Sequence, residues 1–268
     1  MVFVPGHFGE WIQGRLGPDG PIALVTLACP SIGVRASWRS SDHPRGPDDT
    51  AASELLGEDR VAALLTRIGC ETPKSRARSL LLAPSLPPGL GTGVSTASLV
   101  AIARLAGADE PAIAGLCLEE EGAVDPLMLA APDAVLWAPR RAMTLRAMPP
   151  PPRADVVGGI FGPPEWTDPA DTQFPDITDL ATRWQSGGDL ADCAAIASAA
   201  ADRTTARRGP ANDPTAALAR RLGALGYARA HTGPARALLF APGTAPPDAA
   251  GALADAGFTH VLHFQTGH

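Results

Sequence analysis

The chain has 268 residues, a net charge of −6, 45% hydrophobic and 19% charged residues, enough apolar chain for one large domain or two smaller ones with real cores and too much for a disordered chain. The acidic balance argues against nucleic acid as the main partner, since phosphate backbones are bound by clustered positive charge. No apolar run in the sequence is long enough to span a bilayer, so no membrane partner is expected.

In chain order, residues 1–38 read as β-structure. The opening Met1-Val2-Phe3-Val4-Pro5-Gly6 has neither a basic region nor a long apolar core, unlike a signal peptide. Residues 2–4 are a short apolar strand, 8–16 alternate with interruptions at Gly9 and Gly14, and 17–20 form a Gly-Pro-Asp-Gly turn. Strands follow at 22–27 and 33–38. Residues 39–53 read as an exposed, mobile Pro/Gly loop, 54–68 as an amphipathic helix and 76–83 as a strand. Helices are expected up to Gly107 and from Asp109 to Glu121, where Gly122 stops the second. Short strands are expected at 133–138 and 142–147. Pro149-Pro150-Pro151-Pro152 is a stiff connector and the clearest boundary, dividing the chain into domains at 1–148 and 153–268. Beyond it come a strand at 156–161, helices at 176–184, 189–207 and 214–225, strands at 227–231 and 237–240, a helix at 248–256 and a strand at 260–264. Setting the extra helices aside, that order is βαββαβ, a ferredoxin-like unit. The fold class is α+β.

Cys29, Cys70, Cys117 and Cys193 lie far apart with no CxxC pair, as reduced core thiols of a cytoplasmic protein do, and not as a disulfide frame or a zinc site. His7, His43, His260, His263 and His268 show no metal-ligand spacing with a carboxylate. The sole lysine, Lys74, sits in a polar Thr-Pro-Lys-Ser turn, which excludes a pyridoxal phosphate enzyme.

The most informative stretch is Leu80-Leu81-Leu82 followed by Pro84 to Gly93 and then an apolar helical pattern from Leu99 to Leu105. Glycines at 89, 91 and 93 let the backbone turn sharply and approach a ligand. Ser95, Thr96 and Ser98 cluster where an N-cap belongs. A helix start presents unpaired N–H groups and the positive end of its dipole, so strand, glycine loop and helix together suggest a phosphate site. A Walker loop would need Gly-Lys-Ser/Thr, which is absent; a dinucleotide fingerprint would need glycine at a different step and an acid after a second strand, whereas Glu119, Glu120 and Glu121 end a helix.

Pro87-Pro88-Gly89-Leu90-Gly91-Thr92-Gly93-Val94-Ser95-Thr96-Ala97 resembles the P-x3-G-x-G-S-S-A loop of the GHMP kinases, with Val94 where a serine is usual. Pro5-Gly6-His7-Phe8-Gly9-Glu10-Trp11-Ile12-Gln13-Gly14 resembles the first motif of that family, in the form of the branch that includes the L-threonine kinases of cobalamin synthesis and propanediol utilisation. Ala230-His231-Thr232-Gly233-Pro234-Ala235-Arg236 is similar to the third motif, a glycine turn between two strands. The three matches occur in order and span both expected domains.

The resemblance implies a two-domain fold, with an N-terminal domain like the second domain of ribosomal protein S5 and a ferredoxin-like C-terminal domain. It implies an ATP- and Mg²⁺-dependent kinase, with L-threonine as the favoured acceptor and homoserine, serine or another small alcohol as alternatives. Backbone amides along Pro87, Gly89, Leu90, Gly91, Thr92, Gly93, Val94, Ser95 and Thr96 would hold the ATP phosphates. Ser95 would give Mg²⁺ a hydroxyl and Glu121 a carboxylate, with Glu120 an open alternative because the spacing to Asp125 is one residue longer than in the branch. Asp125, on a Val-Asp-Pro turn, would take the acceptor's hydroxyl proton or orient that hydroxyl. Some members pair this aspartate with a lysine near the first motif; here the supporting cation would have to be arginine, histidine or Mg²⁺. Glu10, Gln13, His231, Thr232 and Gly233 would contact substrate, Glu10 facing an ammonium and the glycine turn, with His231 or Arg236, facing a carboxylate. The rival reading is a nucleotide- or metabolite-binding protein that has lost catalysis, motivated by Val94 and the altered spacing.

Overall fold

The structure, a computed structural model, describes residues 1–40 and 45–267; His43, His268 and part of the expected loop 39–53 lie outside them. Four short strands were expected before residue 39. The chain instead forms two long ones, β1 (Val2–Arg15) and β2 (Ile22–Trp38), paired antiparallel. Register shifts at Pro5/Gly6, His7/Glu10 and Glu10/Ile12 absorb the interruptions, because a bulge bends and twists a strand without ending it. These bulges fall on the His7–Glu10 segment and re-aim its side chains.

β3 (Thr50–Ala51) takes the end of the expected loop into the sheet. The expected helix 54–68 is two helices, α1 (Ala52–Leu56) and α2 (Glu58–Arg67), broken at Gly57 with φ at 91°. Residues 76–79, expected as strand, belong to α3 (Pro73–Ser79), and β4 (Leu80–Pro84) begins only at the leucine run. Pro73 suits a helix start, and Lys74, Arg76, Ala77 and Arg78 are good helix formers with only Ala77 buried, so nothing holds them extended.

α4 (Val94–Leu105) is buried at Val94 and from Thr96 to Ala103, a helix that is apolar all round because it lies inside the protein. It starts one residue after Gly93 with no side-chain cap. Ser95 and Thr96 therefore lie in its first turn, and the Ser98 hydroxyl donates back to the Val94 carbonyl at 2.7 Å. α5 (Glu110–Glu121) ends at Gly122 in the left-handed region, as expected. β5 (Val135–Ala138) and β6 (Met143–Ala147) form a hairpin against β2.

Past the four prolines run β7 (Ala154–Ile160), α6 (Thr178–Gln185), α7 (Leu190–Arg208), α8 (Thr215–Leu222), β8 (Gly226–Arg229), β9 (Ala235–Phe240), α9 (Ala249–Asp255) and β10 (Thr259–Thr266). Their strands lie in the order β10-β7-β9-β8, all antiparallel, which is the βαββαβ arrangement with additional helices before β8. β8 also pairs with β1 through Arg229 and Glu10, so the main strand path runs β10-β7-β9-β8-β1-β2-β4-β3. Glu10 thus sits at the seam.

Both faces of β1 are covered. One side packs Phe8 and Trp11 against Phe264 and Trp184, at ring separations of 5.8 and 5.5 Å, above the alanine face of α7. On the other, Val4 joins the leucines of β4 and the buried face of α4. Alanine at 194, 197 and 200 lets α7 approach the sheet closely while its removal of small apolar surface from water still adds up. The four cysteines are free thiols, and no helix among the described residues is long and apolar enough to cross a membrane.

Candidate active site

A cavity of about 310 Å³ opens where the glycine loop, the bulged part of β1, the end of α5 and the β8–β9 turn meet. The loop is fastened by its carbonyls. Glu165 N–H donates to Gly89 O at 2.8 Å, Ala235 N–H to Leu90 O at 3.0 Å and His7 N–H to Thr92 O at 3.3 Å. With the carbonyls turned outward to three other segments, the amides of Gly91, Thr92 and Gly93 have no hydrogen-bond acceptor among the described residues. The Thr92 hydroxyl is buried and unpartnered as well, and all three residues line the cavity. Unpaired donors at a helix start are what an anion requires.

Gly91 shows why the loop needs glycine. Its φ is 76°, and a Cβ there would lie 2.3 Å from the Ala230 Cβ and 2.6 Å from the Thr232 carbonyl. The loop and the β8–β9 turn are therefore packed backbone to backbone. Gly91→Ala should destabilise the protein by about 1–3 kcal/mol through left-handed strain and overpacking; a urea melt superimposing on the parent's would refute this packing.

The Ser95 hydroxyl donates to Glu121 Oε1 and the Thr96 hydroxyl to Oε2 at 3.2 Å. Glu119 is paired with Arg67 at 3.2 Å, and Glu120 with Arg67 and with Arg60 at 3.3 Å. Of the three glutamates, Glu121 is the one bonded to the loop hydroxyls, although Glu120 also reaches the cavity wall. Burial raises the Glu121 carboxyl pKa, partly offset by Ser95 and Arg60. Hydroxyl and carboxylate oxygens with no nitrogen or sulfur donor form a set that suits Mg²⁺. The Val94 side chain packs into the core at the edge of the cavity wall.

Asp125 follows α5 and is held by its neighbour: Val124 N–H donates to Pro139 O at 2.9 Å, and Trp137 Nε1 donates to Val124 O at 2.6 Å. About a quarter of its side chain is exposed, toward the cavity. His7 Nε2 lies 3.2 Å from Asp125 Oδ2, and His7 Nδ1 lies 3.3 Å from the Gly9 carbonyl and 3.7 Å from Glu10 Oε1. A carbonyl and a carboxylate only accept, so both ring nitrogens carry hydrogen and His7 is an imidazolium. Burial works against that charge, but Asp125, Glu10 and the Gly9 carbonyl outweigh it and raise the pKa to about 9. Burial likewise opposes the Asp125 charge, yet His7 holds its pKa below the ordinary carboxylate range. Glu10 is pushed up to about 8 by burial, with Asp125 adding to the shift against His7 and the His231 amide.

The sequence showed no metal-ligand spacing between His7 and a carboxylate, yet the fold places one ligand atom each of His7, Glu10 and Asp125 within 4.8 Å of one another. The doubly donating imidazolium makes this group an ion-pair cluster.

Other expected contacts are sorted by the same geometry. Glu10 lines the cavity and accepts the His231 N–H at 2.5 Å. His231 and Thr232 line it too, with the His231 ring stacked on Phe174 at 4.4 Å. Burial, with Arg208 and Arg140 close by, drops His231 to about 3, so it is neutral and cannot serve as a carboxylate's cation. Arg236 does not face the cavity; it is buried in an ion pair with Asp213 at 2.7 Å. Gln13 is also off the wall, buried and donating to Arg229 O at 3.0 Å, where it ties β1 to β8. Pro87, Leu90 and Gly233 do not line the cavity. Leu90 packs into the core, and Gly233 lies against Gly91, where a Cβ would meet the Gly91 nitrogen at 2.6 Å.

Sequence reasoning missed Arg60, Arg140, Trp166 and Phe174, all on the wall. Trp166 and Phe174 lie between β7 and α6 in a stretch rich in proline and aspartate, and two aromatics in such a stretch were a usable signal. The arginines carried none.

No family model and no curated protein matches this sequence. Solved structures do match its fold. The mevalonate kinase of L. major, in complex with R-mevalonate, aligns over 99% of this chain and 96% of its own at 12% identity and a TM-score of 0.57. The Streptococcus pneumoniae phosphomevalonate kinase aligns over 99% and 98% at 14% identity and a TM-score of 0.57. A homoserine kinase from Cytophaga hutchinsonii aligns over 98% and 93% at 15% identity and a TM-score of 0.51. The fold is that of the GHMP kinases.

Proposed function

We propose that this chain, with its GHMP-kinase fold, is an ATP- and Mg²⁺-dependent kinase that phosphorylates the hydroxyl of a small amino acid, L-threonine first among them, to O-phospho-L-threonine as a step toward cobalamin. The observation that carries the reading is the single cavity shared by the unpartnered amides of Gly91 to Gly93 and the ionised Asp125. The threonine and cobalamin assignment draws on the sequence motifs around Glu10 and Thr232.

The amides of Gly91, Thr92 and Gly93 and the start of α4 receive the ATP phosphates. Ser95 and Glu121 would hold Mg²⁺, which would supply positive charge to offset that of the ATP phosphates. Asp125 accepts a hydrogen bond from the acceptor hydroxyl and directs its oxygen toward the γ-phosphorus. The new O–P bond forms as the bridging oxygen–phosphorus bond of ATP breaks, ADP leaves with the bonding pair, and the hydroxyl proton passes to Asp125. The His7 imidazolium keeps Asp125 ionised. Glu10 faces the acceptor's ammonium, whose charge would pull down the pKa that burial raises. On this reading residues 1–148 supply the phosphate and metal groups, and 153–268 close the acceptor side with His231 and Phe174.

ADP release with MgATP should be stimulated by L-threonine above L-serine, L-homoserine, D-threonine and small amino alcohols. Stimulation by a different acceptor would replace the substrate. Silence with MgATP still bound would favour a nucleotide-binding protein without catalysis, the reading that the buried Val94 prompts.

A further inference from the structure

Among the described residues, one cation on the cavity wall, Arg140, forms no ion pair, although the carboxylates of Asp171 and Asp168 act on its charge from farther off. Among the described residues there, His7 is paired with Asp125, Arg60 with Glu120 and Glu121 at 3.3 and 3.5 Å, and His231 is neutral. Arg140, in the β5–β6 turn, has no carboxylate partner. Its Nη2 donates to the main-chain carbonyls of Asp168, at 3.1 Å, and Asp171. Carbonyls fix a guanidinium in place without neutralising it. Of the two carboxylates on that segment, Asp171 is paired with Arg208 and Asp168 accepts the Ala170 N–H at 2.8 Å.

Arg140 has Nε and Nη1 uncommitted to any acceptor among the described residues, and it sits 5.6 Å from the centre of the Phe174 ring. Phe174 stacks on His231, whose amide holds Glu10. That chain of contacts links Arg140 to Glu10 through Phe174 and His231, while the glycine loop has its own unpaired amides for phosphate. Burial and the like charges of Arg15 and Arg208 lower its pKa, against the pull of Asp171, so an added anion would be favoured there.

We propose that Arg140 is the receptor for the acceptor's carboxylate, making the acceptor a small hydroxy acid whose carboxylate meets Arg140 while its ammonium meets Glu10 and its hydroxyl meets Asp125. This rests on the kinase reading for what happens to the hydroxyl, but recognition is measurable without turnover.

The test is calorimetric titration of the parent, Arg140→Gln and Arg140→Lys with L-threonine, with 1-amino-2-propanol, which lacks the carboxylate, and with MgADP. The parent should prefer L-threonine. Arg140→Gln should weaken L-threonine roughly ten- to a hundredfold, the worth of a charge-assisted hydrogen bond, leaving the amino alcohol and MgADP unchanged; Arg140→Lys should fall between. Equal weakening of all three ligands would make Arg140 a structural pin for the 168–171 segment. Weakening of MgADP alone would assign it to phosphate, and a parent without preference for the carboxylate would also overturn the proposal. ADP release is read separately: absence of turnover in a parent that still discriminates the carboxylate sinks the kinase reading and not this one.

Discussion

Asp125→Asn should lower kcat by about 10²–10⁴-fold, the range general-base and orienting groups contribute, while MgATP affinity is unchanged. The change is isosteric, so the turn clamped by Pro139 and Trp137 around Val124 should persist. It removes the charge that faces the acceptor hydroxyl and the counter-ion of His7 at 3.2 Å. Single-turnover phosphoryl transfer with saturating ATP isolates the chemical step. A variant that keeps most of the parental rate would remove Asp125 from the reaction; one that loses ATP binding as well would show that the turn, and not the carboxylate, was disturbed.

His7→Gln is the second large effect. Glutamine can still donate to Asp125, but it brings no charge, and removing one preorganised electrostatic group from an active site costs about 10²-fold in kcat. The pH profile separates charge from packing. Asp125 has a lowered pKa, so its charge is lost only as pH falls below the ordinary carboxylate range. His7 has a raised pKa, so its charge persists through neutrality and is lost as pH rises through about 9. The parent's activity should therefore decline on the alkaline side near that value, and the variant, with no imidazolium to lose, should lack that limb. The same sign applies to stability: the raised His7 pKa contributes in full below its unfolded value of 6.5 and is lost through about 9. An unchanged alkaline limb in His7→Gln would refute the assignment.

The site also bears on the acceptor's charge. His7 and Asp125 form an ion pair, and burial pushes Glu10 up to about 8, so the site disfavours further uncompensated charge. A zwitterionic acceptor spanning Glu10 and Arg140 would bring its own opposite charges to both and keep the balance.

Local chemistry determined much of this protein by itself. The glycine loop, its position between a strand and a helix, the stop at Gly122 and the βαββαβ order were legible because glycine, proline and apolar spacing act over a few residues. Glu10, Ser95, Glu121, Asp125, His231 and Thr232 were nameable as site residues through the resemblance of their motifs to a known family, not through local spacing, and all line one cavity. The long strands β1 and β2 were not legible, since bulges are set by pairing with a partner and not by the strand's own sequence. Residues 76–79 were misread by extending the leucine strand backwards, although Pro73 and the helix formers after it were a local signal for the helix.

What only the tertiary structure decided is which groups share a charge. His7 and Asp125 are separated by 118 residues, Glu10 and the His231 amide by 221, and Arg140 is fixed by carbonyls from a later segment. Whether a histidine is an imidazolium or neutral depends on which acceptors and burial the fold places around it. His7 and His231 are the same side chain in the sequence, and the fold raises one to about 9 and drops the other to about 3.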